Sequence, residues 1–331
     1  MSVIGGKRIL FFAPKFFGYE KKIASKLTEL GAIVDAFDER PGNSFVTKSI
    51  LRLYSKGITN TTKIYYKKIV SKVKNNEYDY VFIVNLEAMN ESIISNLRST
   101  FKKAVFILYM WDSSQNKKSL TRVYSLFDHC YTFDRFDAEN LPGFRFRPLF
   151  YIDSYSNLPA AAKKFDLSFI GTAHGDRSFI VKKIQAQMEQ AGFKFFYYLY
   201  LHSRIMYFFL RHKTRKLGTI SSYKEYSFKP LSECEVTDII ASSYAVLDIQ
   251  HAMQTGLTMR TLEVLGAEKK LITTNVDIVN YDFYHHDNIL VINRDNPVID
   301  KSFLKSPYKT LPQEIKLKYS IEGWLREIFS F

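Results

Sequence analysis

HAMQTGLTMRTLEVLGAEKKLITTN (251–275) carries the pattern from which the fold is read. Gly256 lies in a polar loop, Leu262 and Leu265 mark the apolar side of a helix over about 258–266, and KLITTN (270–275) is a buried strand. Immediately upstream, YAVLDIQ (244–250) is another strand, so the segment reads strand, loop, helix, strand: one βαβ step of a parallel sheet. Glu263 is the residue out of place. A carboxylate in the first turns of a helix is favoured by the helix dipole, but a core position penalises it, so packing alone does not account for it.

The same alternation runs through the rest of the chain. KRILFFA (7–13) is a continuous apolar run bounded by Gly6 and Pro14, as suits a strand covered on both faces. Residues 19–30 place Ile23, Leu27 and Leu30 on one stripe, Gly31 ends that helix, and AIVDAF (32–37) is the next strand. A helix across 46–75, strands at DYVFIVN (79–85), AVFILYM (104–110) and HCYTF (129–133), and a helix at 90–99 follow. FRPLFYI (146–152) leads through SNLPAAAKK to DLSFIGT (166–172), which opens a second series: a helix at about 178–191, a strand FKFFYYLY (193–200), a helix at 236–242, and then the segment quoted first. The expectation is an α/β chain of two Rossmann-like domains, 1–155 and 156–331, whose parallel sheets face across a cleft, with the final helix free to pack back on the first domain. The length of 331 residues suits two domains of roughly 150 residues.

Composition narrows the function classes. Cys130 and Cys234 are far apart, and no Cys/His run has metal-ligand spacing, which argues against a disulfide scaffold and a zinc site and fits a reducing cytoplasm. MSVIGGKRILFFAPKFF runs straight into a strand pattern rather than a signal peptide, and no window approaches the ~20 apolar residues that span a bilayer. Lys and Arg number 47 against 33 Asp and Glu, a net +14, which implies an acidic partner: nucleic acid, an anionic membrane surface or a phosphorylated substrate. Lys48, Arg52, Lys56, Lys63, Lys67, Lys68, Lys72 and Lys74 occur in a stretch without an acid, and HSRIMYFFLRHKTRKLG (202–218) is a second one. Each is either an ordinary solvated face or a peripheral contact with an anionic membrane. Nucleic acid is not the expected partner, because neither an RNP-like motif nor a helix-turn-helix pattern occurs.

In open parallel sheets ligands bind beyond the carboxyl ends of the strands, so the residues after each strand are the candidates. Asp112, in Trp111-Asp112-Ser113-Ser114, either caps a helix or acts as a general base; Glu87 is either a surface carboxylate or a cleft residue. Asp137 reads as a cap, and Asp134 is open. After DLSFI come Gly171, Thr172, His174 and Arg177 at the start of a helix, where small residues, N–H groups and the positive helix end suit a phosphate; His174 is equally a plain loop residue. In the first-quoted segment, the N–H groups around Gly256, Leu257 and Thr258, with Arg260, would meet a diphosphate, and Glu263 would accept hydrogen bonds from ribose hydroxyls.

TGLTMRTLEVLGAEKKLITTN, together with LYMWDSS, YTFDRFDAENL, FRPLFY and DLSFIGTAHGDR, resembles bacterial GT-B glycosyltransferases of the CgeB-like, lipopolysaccharide- and capsule-biosynthesis type, over about residues 80–295. The resemblance implies a nucleotide-sugar donor, UDP-linked by family habit, bound by the C-terminal domain. It places a lipid-linked or oligosaccharide acceptor in the N-terminal domain. It implies no cofactor beyond the donor substrate and, since no Asp-x-Asp occurs, no metal. Glu263 matches the carboxylate that holds the donor ribose, and Thr258, Arg260 and Thr261 lie at the diphosphate. The family's Glu-x7-Glu pattern departs here, because Thr255 stands eight residues before Glu263, and retention of configuration is not implied. Arg260, Arg177 and Lys229 are the candidates to stabilise the leaving phosphate; if the reaction inverts, Asp112 is the first choice of base and Glu87 the second. A nucleotide-sugar 2-epimerase, a silent GT-B module and a nucleic-acid-binding protein stay open as alternatives.

Overall fold

The computed structural model describes residues 3–42, 60–113, 121–208, 222–252 and 254–331. Lys48, Arg52 and Lys56, Ser114, and the basic residues of the second stretch from Arg211 onward lie outside the described residues. The chain divides into two units, Met1–Leu149 with Ile321–Phe331, and Phe150–Ser320. The sequence expectation set the division near residue 155 and left the last helix to either domain.

The first unit holds a parallel sheet in the order β2-β1-β3-β4-β5-β6, with β1 Arg8–Ala13, β2 Ile33–Asp38, β3 Tyr80–Val84, β4 Val105–Met110, β5 His129–Thr132 and β6 Phe144–Phe146. The continuous apolar runs became the central strands because a parallel strand with helices on both sides has no wet face. Ile9 to Ala13 of β1 are at most 1% exposed. β2 lies at the edge, is only partly buried, and carries Asp35 and Asp38, charges that discourage further strand pairing. The crossovers are α1 (Tyr19–Glu29), α2 (Asn60–Val73) and α3 (Glu91–Thr100), with α4 (Arg135–Asn140) between β5 and β6. Of the helix expected over 46–75, the described part is α2.

The C-terminal helix Ile321–Phe329 buries Ile321, Trp324, Leu325, Ile328 and Phe329, a stripe at helical spacing, against this sheet. Trp324 is fully buried, with its ring 4.8 Å from Tyr109 and 6.0 Å from Phe82. Arg147, also fully buried, pairs with Glu327 at 3.1 Å.

The second unit holds a parallel sheet ordered β12-β11-β10-β7-β8-β9. Its strands are β7 Phe165–Thr172, β8 Phe195–Tyr200, β9 Tyr226–Ser227, β10 Ser243–Asp248, β11 Lys270–Thr273 and β12 Ile289–Val291, with α5 (Arg177–Gln190), α6 (Glu233–Ala241) and α7 (Met259–Gly266) as crossovers. In each sheet the first strand sits inside the order: β1 between β2 and β3, and β7 between β8 and β10. The chain therefore winds both ways from it, and in open parallel sheets the loops leaving the strands at that reversal are where ligands bind. Those loops follow β1 and β3 in one unit and β7 and β10 in the other.

Candidate functional site

In the second unit, the groups at this reversal are built around Asp248, the last residue of β10. It is 4% exposed, and its Oδ2 accepts hydrogen bonds from the hydroxyls of Thr258 (2.7 Å) and Thr261 (2.8 Å). Thr258 also caps α7, accepting from the Thr261 N–H. A short β-branched hydroxyl residue at the cap, with a second one a turn later, lets one buried carboxylate fix the start of the helix. Arg177, at the start of α5, donates from Nε to the Ile249 carbonyl (2.7 Å) and from Nη1 to the Thr172 carbonyl (3.2 Å), so it ties together the loops after β10 and β7. Burial lowers the Arg177 pKa, and the charge of Asp248 works against that.

Two further guanidinium groups lie within electrostatic reach of Arg177. Arg294 grips Asp176 through two bonds of 2.7 and 2.6 Å and donates to the Gln250 carbonyl. Burial alone would raise the Asp176 pKa, but this fork outweighs it and holds the carboxyl below its ordinary value. Arg260 pairs with Glu263 at 2.6 Å, one helical turn apart. Glu263 is 5% exposed, and Tyr155, whose hydroxyl is held neutral by burial and by the Glu263 charge, lies against the same pair. The sequence reading gave Glu263 and Arg260 separate ligands; the structure joins them to each other.

His174 is half-buried, its ring 5.5 Å from His251. Burial first, then the charges of Arg177 and His251, push its pKa down to about 4, so it is neutral at physiological pH. The loop after β10 is pinned by Asn275, whose amide donates to the Thr255 carbonyl (3.0 Å) and the Gly256 carbonyl (3.4 Å), while Leu257 is buried as an apolar anchor. Gly171 has a packing explanation instead: a Cβ there would stand 2.8 Å from the Phe169 ring. Lys229 is not drawn into the group. It is exposed after the edge strand β9, and its charge is felt by Glu235 at the start of α6.

In the first unit, Asn85 brings the two candidate carboxylates together. It is fully buried, sits at φ 62°, and its amide nitrogen donates to Asp112 Oδ2 (2.8 Å) and Glu87 Oε1 (3.3 Å). Asparagine tolerates the left-handed region that a larger residue avoids. Glu87 also takes Arg40 Nη1 at 3.2 Å, and Arg40 reaches the Lys15 carbonyl at 2.7 Å. Asp112 is exposed. Beneath them, Glu39 is fully buried, and its Oε1 accepts from the N–H groups of Glu87, Ala88 and Met89 at 2.7–2.9 Å. The cap of α4 is Asp134, through the Phe136 N–H, and not Asp137 as the sequence suggested; Asp137 is buried in the first turn.

Sequence reasoning passed over Asp248, Glu39, Arg40, Asn85, Arg294 and Tyr155. Asp248 left a signal, an acid ending the apolar run YAVLD at a strand's carboxyl end. Asn85, read as the last residue of DYVFIVN, left a similar one.

No family model matches the chain, and no curated protein matches it in sequence. Solved structures match over nearly its whole length. Anabaena HepE, solved with UDP and glucose, is 12% identical with a TM-score of 0.61, covering 98% of this chain and 99% of its own. A glycosyltransferase from Rickettsia africae is 13% identical (TM-score 0.55, 98% of this chain and 93% of that one). The catalytic domain of starch synthase IV from Arabidopsis thaliana, bound to ADP and acarbose, is 8% identical (TM-score 0.56, 99% and 96%). The fold is GT-B. Two Rossmann-like units, each with a six-stranded parallel sheet, are what these chains share with this one.

Proposed function

We propose that this chain is a glycosyltransferase that moves a sugar from a UDP-linked nucleotide sugar to a hydroxyl of a glycan. The observation that carries this reading is that Arg177 and Arg294 both hold the loop after β10, at the Ile249 and Gln250 carbonyls, and that Arg177 also feels the charge of Arg260, where β7 and β10 end and α5 and α7 begin. Like charges brought together are unfavourable, and the chain offsets each with one carboxylate: Asp248, Glu263 and Asp176. An entering diphosphate adds negative charge to a place where guanidinium groups and helix N-termini already point. Charge on the leaving diphosphate rises as the glycosidic bond breaks, so fixed cations there favour the transition state over the ground state. The fold shared with HepE, which was solved with UDP and glucose, supports the same assignment.

Asp112 is the proposed base if the reaction inverts, and Glu87, which already carries Arg40, is the second choice. Glu263 is the proposed ribose ligand once its pair with Arg260 opens toward the donor. The proposal includes metal independence, with cationic side chains in the place a divalent ion would take. A growing surface glycan (lipopolysaccharide, O-antigen or capsule) is the proposed acceptor, supported by the sequence resemblance. Exposed Lys63, Lys67, Lys68 and Lys72 on α2 support a peripheral contact with an anionic membrane; no helix among the described residues is long and apolar enough to cross one.

Thermal-shift and calorimetric screening against UDP-, ADP-, GDP-, CDP- and dTDP-sugars tests the reading. The expected result is a rise in unfolding temperature with a UDP-sugar. Glu263→Gln should then weaken binding by about tenfold or more, the worth of a hydrogen bond to a charged group, while the unliganded protein stays folded. If no nucleotide sugar binds, the assignment fails. If a UDP-sugar is epimerised with no acceptor present, the chain is a 2-epimerase instead.

A further inference from the structure

The loop after β1 exposes what a soluble chain usually hides. Phe16 and Phe17 are 46% and 66% exposed, with their rings edge to face at 4.8 Å, and the Phe16 ring lies 5.8 Å from that of Trp111. Phe17 holds φ 48° and Gly18 φ 83°, two successive left-handed residues that turn the aromatic pair outward. A phenylalanine adopts that backbone at a cost, and a ring left largely in water forgoes much of the stabilisation its burial would bring. The backbone holds the rings outward, and their exposure is relieved only when something covers them.

The neighbours of this platform say what that is. In the sheet β3 lies between β1 and β4, so the contact of Phe16 with Trp111 spans the end of β3, from which Asn85 and Glu87 continue. Asp112 follows Trp111 directly and is joined to Glu87 through the Asn85 amide. Aromatic faces and carboxylate oxygens thus share one end of one sheet. A purely hydrocarbon ligand would strip water from the carboxylates without replacing their hydrogen bonds. An anionic ligand would meet Glu87, Asp112 and Asp38, while Arg40 is already on Glu87 and Lys15 stands 4.0 Å from Asp38. A pyranose ring satisfies both demands: its face of C–H groups packs on the aromatic π-surface, and its hydroxyls donate to the carboxylates.

We infer that Phe16, Phe17 and Trp111, together with Glu87 and Asp112, bind a pyranose of a neutral glycan acceptor, stacked on the rings and hydrogen-bonded to the acids. This rests on the glycosyltransferase reading and deepens it: the acceptor is recognised through an uncharged sugar rather than through a lipid tail or a sugar phosphate.

Trp111 is itself the reporter. The chain has two tryptophans, and the other, Trp324, is fully buried, so a ligand stacking on the platform changes the emission of Trp111 alone. The probes are lactose, cellobiose, maltose and N,N′-diacetylchitobiose, with glucose 6-phosphate and phosphatidylglycerol vesicles as the anionic and lipid alternatives. UDP binding is measured in parallel by calorimetry. The expected result is a saturable emission change with at least one neutral disaccharide, lost in Trp111→Phe, and an affinity about tenfold lower in Phe17→Ala, the equivalent of part of one ring's burial. The inference is overturned if no disaccharide moves the emission of a protein that binds UDP, or if only the vesicles or the sugar phosphate do. A disaccharide response in a protein that does not bind UDP would keep the glycan platform and remove the transferase reading.

Discussion

Replacing Glu39 by glutamine should remove a pH dependence from the stability of the first unit. Glu39 is fully buried, with three backbone N–H groups on Oε1, while Oε2 is buried without a hydrogen-bond partner among the described residues. Two effects compete: burial disfavours the carboxylate, whereas the three N–H groups favour it. Burial wins, aided by the neighbouring charge of Glu87, and the carboxyl is pushed up from 4.5 to about 8. An uncharged O–H at Oε2 costs less in a dry site than an unpartnered charged oxygen, which is why the neutral form prevails.

The sign follows from proton counting. Between pH 4.5 and about 8 the folded chain keeps a proton that the unfolded chain has released. The stability that comes from holding Glu39 neutral is therefore fully present below 4.5 and is lost as pH rises through about 8. One proton corresponds to just over 1 kcal/mol per pH unit, and to about 4–5 kcal/mol across the window. Glutamine keeps the acceptor for the three amides and does not titrate. Both tryptophans lie in the first unit, so urea titrations followed by tryptophan fluorescence report its unfolding. Measured at pH 5.5, 6.5 and 7.5, wild type should lose stability relative to Glu39→Gln at each step, by about 1 kcal/mol. Parallel curves, or wild type gaining on the variant as pH rises, would refute the reasoning and mean that the three amides hold Glu39 as a carboxylate.

Two further outcomes follow from the second unit. His174, with its pKa near 4, should show no imidazole titration by NMR between pH 8 and 5.5 in the free protein; UDP should raise its pKa by bringing negative charge to the start of α5, and titration near 6.5 without ligand would contradict the half-buried position. Gly266→Ala should lower the unfolding temperature although alanine favours helices, because its Cβ would stand 2.5 Å from the Tyr151 ring; overpacking of about 1–3 kcal/mol exceeds a propensity gain of about 1 kcal/mol, and an unchanged or raised midpoint would show that the ring can yield.

Much of the fold was legible because a central parallel strand announces itself as an unbroken apolar run. β1, β3 and β4 correspond to such runs, and β7, β10 and β11 to shorter ones flanked or interrupted by polar residues. β6, β9 and β12, two or three residues long toward the sheet edges, carry too little sequence for either period to register. In the site, Thr172, Arg177, Thr258 and Thr261 could be named from their places after strands, and they do converge on Asp248 or its neighbours. Asp248 itself was hidden inside a run read as core. Lys229 was chosen for its charge and loop position, but β9, the strand before it, is the outermost on its side of the sheet.

What the amino-acid order determined by itself is the class of architecture: alternating apolar runs and striped helices leave parallel sheets covered on both faces as the way to bury them. What only the tertiary structure decided is who partners whom. Asn85 reaches Asp112 across 27 residues, Glu39 holds amides 48–50 residues away, and Arg294 grips Asp176 across 118. Periodicity is a local property of the chain, whereas a buried charge or amide takes whichever partner the folded sheet brings within about 3 Å, and that is set by strand order.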